Sequence, residues 1–431
     1  MFRLREFIKS NLLLKATSAN TFLVLVRMGF SVISQKILAV IVGAEGLAII
    51  GNLKNLVVFL EQLSVLGTTN GLIKYIAEFK DNSKKLHALF SATFVFSMLS
   101  TIASFLVLFF FAEPINNYVF GKQNNYVLVI KVLSFIFPFM AVNVILYALL
   151  NGLSQYKQYT KITLVSIVLT SVLLVVFTIK WGLMGSLFAI IINPLLQFFN
   201  YIFFSRKIVS TYFSFKKVSF SSNLKKDLLS YGGVTLVVVL SVNLTDIIVR
   251  NLIENKLNMS AAGYWTAMTS ISKTYMQFTA AIFPLYILPK YSQIDRFSEF
   301  KVEVKQIYKL LLPLIFLGMF LVFLLRETIV NLLYTREFLE VSDLFLWQLL
   351  GDFIKFVAFV LSYQFLAKRR MKFYIFTEVL AVVLFVVISH LLINNFGLKG
   401  VVMAHFFRYV IYLVVVVFIF KNYAFGKSNT L

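Results

Sequence analysis

The chain has 431 residues, of which 60% are apolar and only 14% charged, and its mean hydropathy is +0.86. That charge content is about half the usual share of a soluble domain and excludes one, while the lack of cysteine excludes disulfide and thiolate chemistry. The net charge of +23 would suggest nucleic acid in a soluble protein, but in a chain this apolar it reads as lysine and arginine gathered in cytoplasmic loops, and no nucleic-acid partner is expected.

In chain order, residues 1–19 are basic and partly apolar (Arg3, Arg5, Lys9, Lys15) and carry no small-x-small cleavage site, so they read as an interfacial helix leading into the first span. Twelve apolar runs follow, at 21–42, 47–67, 86–111, 127–150, 160–179, 183–204, 228–250, 261–288, 308–326, 345–367, 374–393 and 401–420. Each approaches the ~20 residues that cross a bilayer as a helix. The runs are continuous rather than alternating, which excludes the strands of a membrane barrel. The second and eighth are the most polar.

Alternate connections differ sharply in charge. The amino-terminal segment, the carboxyl-terminal tail and the loops 68–85, 151–161, 205–227, 289–307 and 368–373 carry 26 Lys and Arg, against 5 in the opposite set. This asymmetry predicts a multi-pass protein with both termini in the cytoplasm. The opposite connections are short, with no room for an outer catalytic domain. No enzyme activity and no cofactor are expected. The pair Gly121-Lys122 lacks the upstream glycine and following hydroxyl of a phosphate-binding loop, and His87, His390 and His405 have no metal-ligand spacing.

The two halves repeat each other. Trp181-Gly-Leu-Met-Gly185 and Phe396-Gly-Leu-Lys-Gly400 each open an apolar run, and Glu113-x-Ile115-x-Asn117 recurs as Glu327-x-Ile329-x-Asn331, at offsets of 215 and 214 residues. The expected fold is an all-α polytopic membrane protein with about twelve transmembrane helices in two six-helix lobes. These are residues 1–204 and 228–431, the latter ending in a short tail, joined by a basic cytoplasmic linker at 205–227. Because six is even, the repeat is parallel, as in transporters that rock two similar halves about a central site.

Ionisable residues inside spans cost roughly 2.5–3.5 kcal/mol each at a helix centre and so mark a partner or a watery cavity. Asp246 with Arg250 (i, i+4) and Asp352 with Lys355 (i, i+3) read as same-helix pairs, and with Glu61 they are candidates for ion coupling or for structural pairing. Lys36 and Glu378 lie near span ends and can snorkel. Arg27, Lys54, Lys131, Lys273 and Arg408 have no acid at helical spacing. Their convergence would make a cationic cavity for an anion, most plausibly a phosphate or diphosphate, and isolated interhelical pairing is the competing reading. Lys54 and Lys273 sit at similar depths after Gly46 and Gly263, with Asn52, Asn55, Gln62, Ser270, Ser272 and Gln277 nearby.

Three stretches carry a resemblance. Trp265-Thr-Ala-Met-Thr-Ser-Ile-Ser-Lys-Thr-Tyr-Met-Gln-Phe278, Leu346-Trp-Gln-Leu-Leu-Gly-Asp-Phe-Ile-Lys355 followed by Lys372-Phe-Tyr-Ile-Phe-Thr-Glu378, and Asn70-Gly-Leu-Ile-Lys-Tyr-Ile-Ala77 with Asp81-Asn82 are similar to segments of bacterial polysaccharide translocases. The chain resembles the O-antigen and lipid III flippase branch of the multidrug/oligosaccharidyl-lipid/polysaccharide exporter superfamily. The resemblance implies a V-shaped alternating-access transporter of the bacterial inner membrane, carrying undecaprenyl-diphosphate-linked oligosaccharides from the cytoplasmic to the periplasmic leaflet. Arg27, Lys36, Lys54, Arg250, Asp352 and Lys355 match charged positions of the lipid III type, whereas Lys273 and Arg408 depart from it. Candidate partners are the lipid-linked oligosaccharide, membrane lipids, and glycan polymerase and chain-length regulator proteins. The alternatives are a multidrug cation antiporter of the same superfamily, which would favour an acidic cavity, and a membrane glycan polymerase or ligase, which would need a sizeable outer loop.

Overall fold

A computed structural model describes residues 12–212, 222–280 and 282–425. The described residues are helical throughout, without a β-strand. In order they form α1 (Leu12–Leu63), α2 (Thr69–Phe79), α3 (Ser83–Phe110), α4 (Ala112–Phe120), α5 (Val127–Gly152), α6 (Tyr156–Tyr212), α7 (Ser222–Lys256) and α8 (Met259–Ala280). A π-helical turn (Phe283–Ile287) then leads to α9 (Leu288–Gln293), α10 (Phe297–Leu324), α11 (Arg326–Leu333), a 3₁₀ segment (Arg336–Leu344), α12 (Phe345–Ala367) and α13 (Met371–Phe425).

Among the described residues, eight helices are long and apolar enough to cross a membrane. Three of them are of double length, and each breaks at a glycine. In α1 the break is Gly43 (φ 65°, ψ −167°), in α6 it is Gly182 (φ 57°, ψ −136°) and in α13 it is Gly397 (φ 56°, ψ −140°). Counting their arms separately, and adding α8, gives the twelve segments expected from the hydropathy. The polar α8 is the one that falls short by composition. It is described to Ala280, and beyond residue 281, which lies outside the described residues, helical structure resumes at Ile282 and passes through the π-helical turn, which contains Pro284. Pro284 and Pro289 have no N–H to continue an α-helical ladder. The interfacial helix expected over 1–19 falls largely on residues 1–11, outside the described residues. Of the linker at 205–227, α6 runs through 205–212 and α7 begins at Ser222, while 213–221 lie outside the described residues.

The duplication reappears in the backbone. Gly182 and Gly397 head the two Gly-Leu-x-Gly motifs, and their dihedral angles agree within a few degrees. Only glycine adopts such a conformation without strain. The second glycine of each motif does a different job. A Cβ on Gly185 would lie 2.0 Å from the Phe177 carbonyl oxygen, and one on Gly400 would lie 2.5 Å from that of Leu392, so both glycines let a helix double back against the carbonyl eight residues earlier. The Glu-x-Ile-x-Asn motifs fall on the equivalent short helices α4 and α11.

The chain forms two compact units: residues 1–41 with 52–240, and residues 42–51 with 241–431. In the first unit the core joins Leu72, Ile76 and Phe79 of α2 to Leu86 and Leu89 of α3 and to Leu146, Leu149 and Leu150 of α5. In the second, Phe283, Ile287 and Tyr291 pack with Phe300 and Ile307 of α10, Phe356 and Phe365 of α12, and Tyr412 and Phe420 of α13. Helix α3 illustrates the inverted polarity of a membrane protein. Between residues 93 and 104 its buried residues are Thr93, Ser97, Ser100 and Ser104, while Phe94, Met98, Leu99 and Ile102 are exposed. Small polar residues bring helices close where lipid supplies no hydrophobic drive between them, and the apolar face is left for lipid.

Candidate functional site

Five helices of the first unit surround a cavity of about 850 Å³. Helical spacing puts the side chains there. Arg27, Ser31 and Ser34 share one face of the first arm of α1, and Lys54 and Glu61, one heptad apart, share a face of its second arm. Asn143 and Tyr147 of α5, Thr163, Ser166 and Thr170 of α6, and Gln197 and Tyr201 of its second arm complete the wall, together with Tyr159, Gln62 and Asn70. The lining is polar along helices whose outer faces are apolar, which is the signature of a water-filled or ligand-filled chamber within a membrane.

Arg27 and Lys54 are thus brought to one cavity, with their side chains exposed to it. Arg27 makes no ion pair among the described residues. Lys131 is not among the lining residues. It is exposed and lies over the Phe109 ring, 5.6 Å from its centroid. Glu61, half-buried, faces the same cavity and likewise has no ion-pair partner among the described residues. Asn143 is 4% exposed; its Nδ2 donates to the Pro194 carbonyl at 2.7 Å, which leaves Oδ1 as a buried acceptor with no partner.

The second unit holds the other charges, and here they satisfy one another. Lys273 Nζ is 2.9 Å from Asp246 Oδ2. For Lys273 the competing reading, interhelical pairing, is the one found: its acid comes from α7, 27 residues away, where same-helix spacing could not reveal it. Asp246 also lies in the field of Arg250 and Arg408. Arg250, 2% exposed, donates through Nε to Thr266 Oγ1 at 2.8 Å and lies 5.2 Å over the Trp265 ring. Gly51 makes room for it, since a Cβ there would come within 2.9 Å of the guanidinium.

Asp352, 1% exposed, is the centre of a network. Its Oδ2 accepts from Ser272 Oγ at 2.6 Å, from Gln348 Nε2 at 3.2 Å and from the Tyr275 hydroxyl, and its Oδ1 lies 3.0 Å from His405 Nε2. Arg408 Nη2 sits 2.8 Å from His405 Nδ1. A guanidinium can only donate, so Nδ1 accepts and Nε2 carries the hydrogen given to Asp352. Arg408 stacks on Phe385 at 3.9 Å and on Tyr409 at 4.6 Å. Lys355 lies over the rings of Phe359 and Tyr409, with no acid within 4 Å among the described residues. The expected Asp352–Lys355 pair is therefore replaced by hydrogen bonds from neighbouring helices. His405 and Tyr275 are the residues sequence reasoning missed. One available signal was Gly351: a Cβ there would lie 2.3 Å from His405 Cδ2, so the glycine exists to admit the imidazole. Among the described residues no three acidic or histidine side chains converge as metal ligands.

Residues 51–343 match the family of polysaccharide biosynthesis proteins. The chain belongs to this family. Within it and around it, relatives agree along nearly the full length. The chain is 28% identical to the lipid III flippase of Escherichia coli (strain K12) over 396 residues, 92% of this chain and 94% of that protein. In three dimensions it resembles an inward-facing multidrug resistance transporter of the MATE family in the MOP superfamily, with a TM-score of 0.75 at 12% identity, covering 94% of this chain and all of the other. It resembles the lipid II flippase MurJ in an inward closed conformation with a TM-score of 0.73 at 16% identity, covering 94% and 87% of the two chains. The fold of this polysaccharide biosynthesis protein is thus one shared by MOP superfamily transporters.

Proposed function

We propose that this polysaccharide biosynthesis protein is a flippase that moves an undecaprenyl-diphosphate-linked oligosaccharide from the cytoplasmic to the periplasmic leaflet of the bacterial inner membrane, with both termini in the cytoplasm. The observation that carries the reading is the cationic, polar cavity of the first unit, where Arg27 and Lys54 face a space of about 850 Å³. The full-length similarity to a lipid III flippase supports it. The physical problem such a protein solves is the cost of taking a diphosphate and its sugars through hydrocarbon. Arg27 and Lys54 offset that cost by accepting the diphosphate, the polar wall meets the sugars, and the polyprenyl tail stays in lipid. Lobes at 1–204 and 228–431, joined by the linker at 205–227, alternate the opening of the cavity. No bond is made or broken. Glycan polymerase and chain-length regulator proteins are the partner class that would use the delivered product.

The fold likeness to a multidrug transporter favours one competing reading, export of cationic drugs. Two cations in the cavity oppose it, because they raise the electrostatic cost of a cationic guest. The test is to deplete the protein and analyse the lipid fraction. A diphosphate-linked glycan should accumulate on the cytoplasmic side. Unchanged lipid-linked glycan together with raised sensitivity to cationic dyes would favour the drug exporter instead.

A further inference from the structure

The cavity of the first unit is lined by donors and acceptors. Arg27 and Lys54 are donors. Glu61 and Asn143 bring acceptors to the same wall. Glu61 presents a carboxylate with no ion-pair partner among the described residues, and Asn143 presents a carbonyl oxygen with none. The Asn143 amide cannot turn to offer its nitrogen, because that nitrogen is held by the Pro194 carbonyl at 2.7 Å. Buried acceptors of this kind are costly unless a ligand brings hydrogens to them. Tyr147 lies one turn beyond Asn143 on the same wall, and Tyr201 lines the cavity as well. Tyr147 packs edge-to-face on Tyr159 at 5.6 Å, and both rings line the cavity. Lys54 and Glu61 share one helix face seven residues apart, which separates their backbones by about 10.5 Å along the axis, a span that matches a diphosphate followed by one sugar ring.

Resting on the reading of the cavity as a site for a diphosphate-linked glycan, we infer that Glu61 and Asn143 form a subsite for the first sugar, accepting hydrogen bonds from its hydroxyl or acetamido N–H groups, and so set the orientation and the selectivity of the guest. A sugar fits these acceptors better than a metal or organic cation does. Two acceptors leave most of a cation's coordination unfilled, and Arg27 and Lys54 in the same chamber work against added positive charge. A hydroxyl or amide brings hydrogens without charge, and a carboxylate takes them as charge-assisted bonds.

The experiment measures binding to purified, bilayer-reconstituted protein of two probes: a polyprenyl diphosphate bearing one N-acetylhexosamine, and the same polyprenyl diphosphate without sugar. The readout is the ratio of the two Kd values. Wild type should prefer the glycosylated probe by roughly tenfold, the factor one or two charge-assisted bonds supply. Glu61→Gln should bring the ratio close to one, and Glu61→Asp should restore part of the preference. Arg27→Ala should weaken both probes together and leave the ratio standing. A preference that survives Glu61→Gln, or a wild type that binds both probes equally, overturns the subsite while leaving the diphosphate reading intact. A Glu61→Gln protein that binds neither probe makes Glu61 a structural group, which also overturns it. A preference that disappears when sodium is replaced by choline would assign the acceptors to a cation instead. If wild type binds neither probe, the flippase reading itself fails, and the subsite with it.

Discussion

The two units handle charge in opposite ways. In the second, Asp246 meets Lys273 at 2.9 Å, and Asp352 is enclosed by Ser272, Tyr275, Gln348 and His405, with Arg408 buttressing the imidazole. In the first, Arg27 and Glu61 line a cavity of about 850 Å³ and neither has an ion-pair partner among the described residues. A charge in a membrane needs compensation, and the source of that compensation separates architecture from binding. Where neighbouring helices supply it, the group holds the bundle together. Where only a void faces the group, the compensation comes from water or a guest.

The largest effect that tests this contrast should come from Asp352→Ala. It strips the acceptor from three buried donors and leaves His405 and Arg408 without their anchor, at a cost on the order of 3–5 kcal/mol. The expected result is loss of protein from the membrane and a collapsed melting temperature in detergent, before any question of transport arises. An abundant, stable variant would show that the network is not structural. Next should come the doubled-back helices. Gly185→Ala and Gly400→Ala push a Cβ to 2.0 and 2.5 Å from a backbone carbonyl, so the helical arms must part. Gly182→Ala and Gly397→Ala meet no neighbour within 4 Å and suffer only the strain of a positive-φ backbone, on the order of 1–3 kcal/mol. Melting temperatures should therefore fall further for the first pair than for the second, and by similar amounts within each pair. Unequal losses at Gly182 and Gly397 would argue that the repeated motifs no longer serve equivalent roles.

Smaller still is Lys273→Ala. The lysine side chain is 61% exposed and Asp246 keeps Arg250 close by, so the expected loss is no more than about 1 kcal/mol. The smallest effect belongs to Lys131→Ala. This side chain lies over the face of Phe109 and is not among the residues lining the cavity, so stability and glycan export should both stay near wild type. A strong export defect with normal abundance would return Lys131 to the substrate path and weaken the comparison.

Much of this fold is written in local patterns. Continuous apolar runs mark the spans because a lipid-exposed backbone must satisfy its own hydrogen bonds within each helix. Gly182 and Gly397 announced two of the three helix breaks through their shared motif, and Glu113 and Glu327 announced the equivalent short helices. The π-helical turn at Phe283–Ile287 was not legible, because hydropathy tracks side chains and is blind to backbone hydrogen-bond register. The charges show a different limit. Spacing along one helix suggested Asp352 with Lys355, but the partners Ser272 and His405 stand 80 and 53 residues away. Same-helix spacing likewise could not name Asp246 as the interhelical partner of Lys273. Arg27 and Lys54 could be picked out as cations in apolar helices, but that Glu61 and Asn143 join them in one chamber depends on packing across α1, α5 and α6.

The central claim is that Arg27 and Lys54 hold an anionic head group. It is tested most directly by lipid-linked glycan export per molecule of membrane-inserted protein for Arg27→Ala, Lys54→Ala and the double variant, with Arg27→Lys and Lys54→Arg as charge-preserving controls. The account predicts normal insertion, at least a tenfold loss of export in the double variant, which corresponds to about 1.4 kcal/mol or more of lost head-group stabilisation, and substantial recovery in the controls. Normal export from an inserted double variant would contradict it.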